Sequence, residues 1–319
     1  MTVTALVSAK SCGVTTSALA MTLSSSRPSL LAECDPAGGT IRAGLFQAQI
    51  TAGTGLYHLA VAERAGEDAL ARAFAEHLVR LDESGHRQVL PGLTDPAQAP
   101  ALARSWPALA QVMRVLSEEG GYDVVIDAGR LALESGRLHS TLTPAPLLHG
   151  ADLVLLVVRA TDQSLALARH MTEPLRNELT DRGTGPDALG VLLIEDGPRR
   201  AHEVSEALRL PVMAALPFEP DTAAYLAGTG RAPRKLNKSA LLGSARTALG
   251  HLQAAAARRA LHQKYSPVQV PGALPAPAPA APAPASAAVP AADARALPAA
   301  PQVAGVLQRL GQGRKDPRV

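Results

Sequence analysis

The sequence predicts an α/β protein: a mostly parallel β-sheet with helices on both faces, followed by a disordered C-terminal tail. Three observations carry this expectation. Short apolar runs alternate with longer amphipathic stretches as far as Tyr265, the pattern of strands joined by right-handed helical crossovers. Hydrophobic residues make up 47% of the chain but aromatics only 3%, so the core is built from Leu, Val and Ala, as in sheets buried on both faces. From about Pro267 to Pro301 the composition changes to almost pure Ala and Pro, which cannot bury a core and favours extended polyproline conformations.

Taken in order, the predicted strands are Val3–Ser8, Leu30–Cys34, Gln88–Leu90, Val124–Asp127, Leu153–Val158, Val191–Ile194 and Val212–Leu216. Each is a short apolar run rich in β-branched residues or Leu, bounded by polar, Gly or Pro positions. The predicted helices between them are Thr15–Ser25, Gly55–Arg64, Asp68–Leu81, Ala101–Glu119, Ser164–Leu179, Ala201–Ala207 and Ser239–Tyr265. These define one domain over residues 1–265, an Ala/Pro-rich linker over 266–302 and a short basic tail over 303–319. In that tail Val303, Val306, Leu307 and Leu310 recur at helical spacing ahead of Arg314, Lys315 and Arg318. It reads either as a tethered contact motif or as an unstructured end.

Several function classes are disfavoured at once. A net charge of +3 over 319 residues does not demand a nucleic-acid partner. Two cysteines, Cys12 and Cys34, make no disulfide framework, and nine scattered histidines form no zinc-type ligand cluster. The first residues carry no basic n-region, and the longest apolar run, Leu153 to Val158, is too short to span a bilayer. A soluble cytoplasmic protein is expected.

The chemistry concentrates after the first strand, where Ser8-Ala9-Lys10-Ser11-Cys12-Gly13-Val14-Thr15-Thr16 joins a strand to a helix. A phosphate-binding loop has this layout: backbone N–H groups and a helix N-terminus surround the phosphates, a lysine neutralises them and a hydroxyl holds magnesium. Against G-x-x-x-x-G-K-[ST], Ser8 replaces the first glycine, Gly13 matches the second, Val14 replaces the lysine and Thr15 supplies the hydroxyl.

Three further segments fix the alignment. Leu30 to Gly39, with Glu33, Asp35 and Pro36, resembles the D-x-D-P-x-G segment of the MinD/ParA family of P-loop ATPases; Gly121 to Asp127 resembles that family's Walker B strand; Ala151 to Val158, with Leu210 to Asp221, resembles its later strands. The resemblance covers roughly residues 1–255. Gln88-Val89-Leu90-Pro91-Gly92 is also similar to a strand of the CpaE/TadZ branch, which is associated with Flp/Tad pilus placement.

The resemblance implies a P-loop NTPase-type fold and a set of site residues. Asp35 would sit beside the attacking water. Lys10, Ser11, Cys12, Gly13, Val14, Thr15, Thr16 and Asp127 would surround ATP, with Pro217 near the base, and Thr15, Asp35 and Asp127 would hold Mg2+. It also implies a homodimer. The family's two lysines are replaced here by Ala9 and Val14, with Lys10 displaced by one residue. Two readings follow. In one, the chain is a pseudo-ATPase positioning or scaffold protein that localises a pilus, secretion or division machine through a protein partner. In the other, it is an active ATPase for DNA partition or septum placement, with Lys10 or a partner's residue compensating. The tail adds a peripheral contact at the inner face of the membrane. Arg231, Arg234, Lys235, Lys238 and Arg246 add a surface for non-specific DNA, or simply a solvated helix start.

Overall fold

The computed structural model describes residues 1–265; the linker and amphipathic tail read from the sequence lie outside the described residues. The chain opens with β1 (Val3–Ser8), α1 (Val14–Ser24) and β2 (Ser29–Glu33). There follow α2 (Leu56–Glu63), α3 (Glu67–Glu76), β3 (Val79–Arg80) and β4 (Arg87–Leu90). Next come α4 (Ala99–Leu102), α5 (Trp106–Glu118) and β5 (Asp123–Arg130), then a small hairpin of β6 (Leu133–Glu134) and β7 (Arg137–Leu138). The second half contains α6 (Ala145–His149), β8 (Leu153–Arg159), α7 (Asp162–Arg182) and β9 (Leu189–Glu195). It closes with α8 (Ala201–Leu208), β10 (Val212–Pro217), α9 (Pro220–Leu226) and α10 (Ala240–Tyr265).

Eight strands form one sheet in the order β10-β9-β8-β1-β5-β2-β4-β3, parallel except for β3, which runs antiparallel to β4. Strand alternation divides the core into two layers. On β8, Leu153, Leu155 and Val157 face the layer containing Ala18 and Met21 of α1 and Leu249 of α10. Val154, Leu156 and Val158 face the other layer, with Phe74, Trp106, Leu116 and Leu175 from α3, α5 and α7. The expected sheet with helices on both faces is therefore present. β1 lies between β5 and β8, so the chain leaves it toward one side and later returns to the other. The carboxyl ends of β1, β2 and β5 meet at this switch point, where α/β sheets place their ligands.

The structure corrects several boundaries. The helix expected over Asp68–Leu81 stops at Glu76, and Val79–Arg80 instead pairs with β4. The Leu81 N–H donates to the Arg87 carbonyl at 2.8 Å, and an Asp82–Arg87 ion pair at 2.8 Å closes the turn. The helix expected over Ala101–Glu119 is interrupted between Leu102 and Trp106. Pro107 falls in the first turn of α5, where its missing N–H costs nothing. The strand expected to end at Asp127 continues to Arg130, and the β6–β7 hairpin, α6 and α9 were not anticipated.

Arg259 fastens the far end of α10 to the sheet. Its guanidinium donates to Asp187 from Nε at 2.8 Å and from Nη2 at 3.1 Å, to the Thr184 carbonyl at 2.9 Å, and to the Asp152 carbonyl. Asp187 is largely exposed, which weakens the ionic part, but Arg259 is mostly covered. Arg259→Ala should lower unfolding free energy by roughly 1–3 kcal/mol. Urea denaturation checks this; a change below about 0.5 kcal/mol, ordinary for a surface residue, would contradict the anchoring role.

Candidate functional site

β1 ends at the buried Ser8, and the loop that follows enters α1 through Gly13, whose φ of 90° and ψ of 30° lie in the left-handed region. No side chain caps this helix, and its first internal bond runs from the Ser17 N–H to the Gly13 carbonyl at 3.0 Å. The N–H groups of Gly13, Val14, Thr15 and Thr16 are thus those an α-helix leaves without an internal acceptor, at its positive end. An anion is the natural occupant.

Within the loop, Lys10, Ser11 and Gly13 are exposed and Thr15 and Thr16 half-buried. Cys12 is buried, with its Sγ 3.6 Å from Ser164 Oγ at the start of α7. Val14, only 6% exposed, belongs to the apolar layer that includes Leu6, Ala18 and Ile194. Where a lysine would place charge beside a phosphate, this side chain packs into the core.

The opposite wall is acidic. Thr15 Oγ1 donates to Asp127 Oδ2 at 2.5 Å, and the Gly129 N–H donates to Asp127 Oδ1 at 3.0 Å. Burial pushes the Asp127 carboxyl up to about 7 from an ordinary 3.8; the Thr15 hydroxyl opposes this, and the charges of Glu33 and Asp35 add to it. Asp35 is also raised by burial, against the Ala37 N–H and the positive charge of Arg130. Its carboxylate lies directly over Gly129, where a Cβ would come within 2.1 Å of Asp35 Cγ.

Glu33, absent from the sequence-based site, is the buried anchor beneath these groups. It accepts the N–H groups of Thr40 at 2.6 Å, Ile41 at 2.9 Å and Gly92 at 2.7 Å. Nearby, Arg42 donates to the carbonyls of Ile50, Thr51 and Thr54 and holds the long loop after β2.

The donor set can be weighed against magnesium. A hydroxyl and two carboxylates are the hard oxygen ligands that Mg2+ takes. An Asp127 raised by burial and, to a lesser degree, by two acidic neighbours is a site that gains from a divalent cation. Among the described residues no group of three His, Cys, Asp or Glu is disposed to hold a metal ion, so a cation here would need oxygens from outside the chain besides these three side chains. The metal side therefore fits. On the side of the base the fit is poorer. Pro217 lines a cavity of ≈ 70 Å³ with Cys12, Thr16, Arg159 and Phe218, far below the roughly 300 Å³ of small-molecule sites. The Arg159 guanidinium stands 5.2 Å from the Phe218 ring centroid and pairs with Asp196 at 3.2 Å. A purine beside Pro217 requires one of these two side chains to move.

The raised Asp127 has a consequence for stability. With its folded-state pKa above the unfolded one, the native protein holds this proton more tightly from about pH 4 to about pH 7. Its contribution to stability is therefore greatest below about pH 4, falls as pH rises through that window and levels off above it. The loss amounts to roughly 2–4 kcal/mol without metal. Denaturant titrations at about pH 5 and pH 8 should show this slope in the wild type and a flatter one in Asp127→Asn; equal slopes would contradict it.

The fold these elements define is that of the MinD/ParA-type P-loop ATPases. Among solved structures, the chain is similar to the septum site-determining protein MinD complexed with Mg-ADP from Pyrococcus horikoshii OT3, with a TM-score of 0.58 and 15% identity over 81% of this chain and 99% of that one. It is similar to a ParA family ATPase from Chlorobium tepidum TLS, with a TM-score of 0.52 and 16% identity over 78% and 97%. A further match is the MinC:MinD cell division protein complex of Aquifex aeolicus, with a TM-score of 0.54 and 17% identity over 78% and 96%. No protein-family model matches the sequence, and no curated protein matches it. At these identities the likeness is one of fold.

Proposed function

We propose that this chain is a positioning or scaffold protein of MinD/ParA type whose phosphate loop binds a magnesium nucleotide weakly and hydrolyses it slowly or not at all. The observation that carries this reading is the pairing of a buried, apolar Val14 with an intact Thr15–Asp127–Asp35 group. Thr15, Asp127 and Asp35 would hold Mg2+, which when bound supplies charge neutralisation for phosphate oxygens. The uncapped N-terminus of α1 would bind the phosphates, and Cys12 and Thr16 would border the base side near Pro217. Lysine contacts of the kind replaced by Val14 and Ala9 contribute roughly 10²-fold or more to phosphoryl transfer, so slow turnover follows from their loss.

The same proposal includes a homodimer and a protein partner; the MinD of Aquifex aeolicus occurs in a complex with MinC. The resemblance of Gln88 to Gly92 to the CpaE/TadZ branch favours a pilus or secretion machine as the object positioned. No described helix is long and apolar enough to cross a membrane, and peripheral membrane contact through residues 303–319 belongs to the same proposal.

Calorimetry with ATP, with and without magnesium, tests the reading directly. Weak, magnesium-dependent binding without turnover is the expected result; sub-micromolar affinity with steady hydrolysis would sink it. Val14→Lys should strengthen ATP binding by roughly 10-fold or more, its stem lying along the apolar layer and its ammonium reaching the loop. If affinity and thermal shift both stay unchanged, the loop is no remnant of a phosphate site.

One observation favours the partition reading as an alternative. Arg231, Arg234, Lys235 and Lys238 are exposed along the approach to α10, and none forms an ion pair among the described residues. Salt-sensitive binding to random duplex DNA, reduced when these four become Ala, would support it; no binding at low salt would remove it.

A further inference from the structure

β5 does not stop at the acid expected to close it. After Asp127 it continues through Ala128 and Gly129 to Arg130, and the pairing with β1 shifts register so that Arg130 comes opposite Ser8. The Leu131 N–H then donates to the Ser8 carbonyl at 2.8 Å and fixes the extension against the first residue of the loop. Gly129, at φ +66°, makes the bend and leaves room for the Asp35 carboxylate. The chain therefore sets Arg130 beside the first residue of the loop by a register shift rather than from the loop itself.

Three properties make Arg130 more than an incidental surface charge. It is exposed, and none of the described residues engages it in an ion pair or a side-chain hydrogen bond. It stands opposite Ser8 and follows Gly129, over which the Asp35 carboxylate lies. Above all, the two loop positions where the resemblance places lysines, Ala9 and Val14, are apolar, Lys10 stands displaced between them, and Glu33, Asp35 and Asp127 leave this end of the sheet with an excess of negative charge. An anion approaching the N-terminus of α1 gains from the N–H groups but meets these acids across the site. One planar, permanently charged fork beside Ser8 offsets them and can bind two phosphate oxygens at once.

We propose that Arg130 is the phosphate-binding cation of this site, substituting from the end of β5 for the charge lost at Val14 and Ala9, with a magnesium-bound di- or triphosphate as the ligand. This rests on the nucleotide-binding reading above and adds to it the residue that supplies the positive charge. It also accounts for an eroded loop that keeps its metal-side residues: the charge has been moved rather than removed.

The test is magnesium-dependent binding of ADP and ATP to the full chain, read by calorimetry and thermal shift, for the wild type, Arg130→Ala, Arg130→Lys and Val14→Lys/Arg130→Ala. Circular dichroism checks that each variant is folded. The expected result is that Arg130→Ala weakens binding roughly 10- to 100-fold. Arg130→Lys should lie between the two because it keeps charge but not the fork, and the double variant should recover much of the loss. Binding by Arg130→Ala equal to wild type overturns the role of Arg130 and leaves the nucleotide reading standing. Absence of binding by the wild type, by Val14→Lys and by the double variant overturns both. Should Arg130→Ala unfold, Arg130→Lys and Arg130→Gln decide: unchanged affinity in both overturns the proposal.

Discussion

Gly129→Ala is expected to destabilise the protein by roughly 3 kcal/mol or more and to abolish the magnesium-dependent part of any nucleotide stabilisation. Two effects add. A φ of +66° is open to glycine but costs an alanine about 1–2 kcal/mol. The new methyl would also lie within 2.1 Å of Asp35 Cγ and 2.4 Å of both carboxylate oxygens, so the acid must leave its place. Since Asp35 is held chiefly by the Ala37 N–H at 2.8 Å, it has somewhere to go, and the site then loses one wall. A double-mutant cycle separates the effects. Asp35→Gly in the Gly129→Ala background should restore the steric share and leave the backbone share. If the two substitutions simply add, the close approach of Asp35 to Gly129 is not the cause.

Glu33→Ala is expected to cost a similar amount, roughly 3 kcal/mol, for a different reason. Three N–H groups lose their acceptor together, the buried ones of Ile41 and Gly92 at about 1–3 kcal/mol each and the partly covered one of Thr40 at less. Part of this is returned, because burial already makes the ionised Glu33 carboxyl unfavourable and raises its pKa. Packing also prevents repair by neighbours: a Cβ at Gly39 would approach Glu33 Oε2 to 2.5 Å, and one at Gly92 would approach it to 3.0 Å, so the backbone is moulded to this side chain. Glu33→Gln keeps one acceptor for Thr40 and Ile41 and turns a donor toward Gly92, so a loss of about 1 kcal/mol is expected. Chemical denaturation of the two variants gives the comparison. A Glu33→Gln protein as unstable as Glu33→Ala would show that charge, rather than the acceptor, holds the loop after β2.

Gly129 and Glu33 show why part of the site was legible in the sequence and part was not. The strands were visible because β8 and β9 are continuous apolar runs, covered on both faces. Thr15 and Asp127 were visible because a hydroxyl at the start of a helix and an acid at the end of a strand have fixed spacing within a familiar pattern, and the structure brings them to 2.5 Å. Asp35 lies two residues past the end of β2, over Gly129 and near Asp127. Pro217 lines a cavity whose narrowness depends on Phe218, just past β10, and Arg159, at the end of β8. Glu33 was masked by its own segment, where Asp35 drew the chemical reading. The signal that would have found it is period two: residues 33 and 35 at a strand end share a direction, and an acid that points with Asp35 toward a glycine-rich loop needs N–H partners. Arg130 and β3 were hidden for a physical reason of another kind. A register shift and an edge pairing are settled by neighbouring strands, not by local periodicity.

The central position of β1 has a consequence for how the molecule comes into being. Val3 pairs with Val124 on one side and Thr4 with Leu153 on the other, so a strand that precedes both its neighbours in the chain is enclosed only after the later of them. Until Leu153–Arg159 has been synthesised, one edge of Val3–Ser8 remains open, with apolar side chains on both faces. Contacts of such long sequence separation make for slow folding and a long exposure to wrong pairing. The loop from Ala9 to Gly13, hung from the end of that strand, acquires its shape only once the second half of the sheet has arrived.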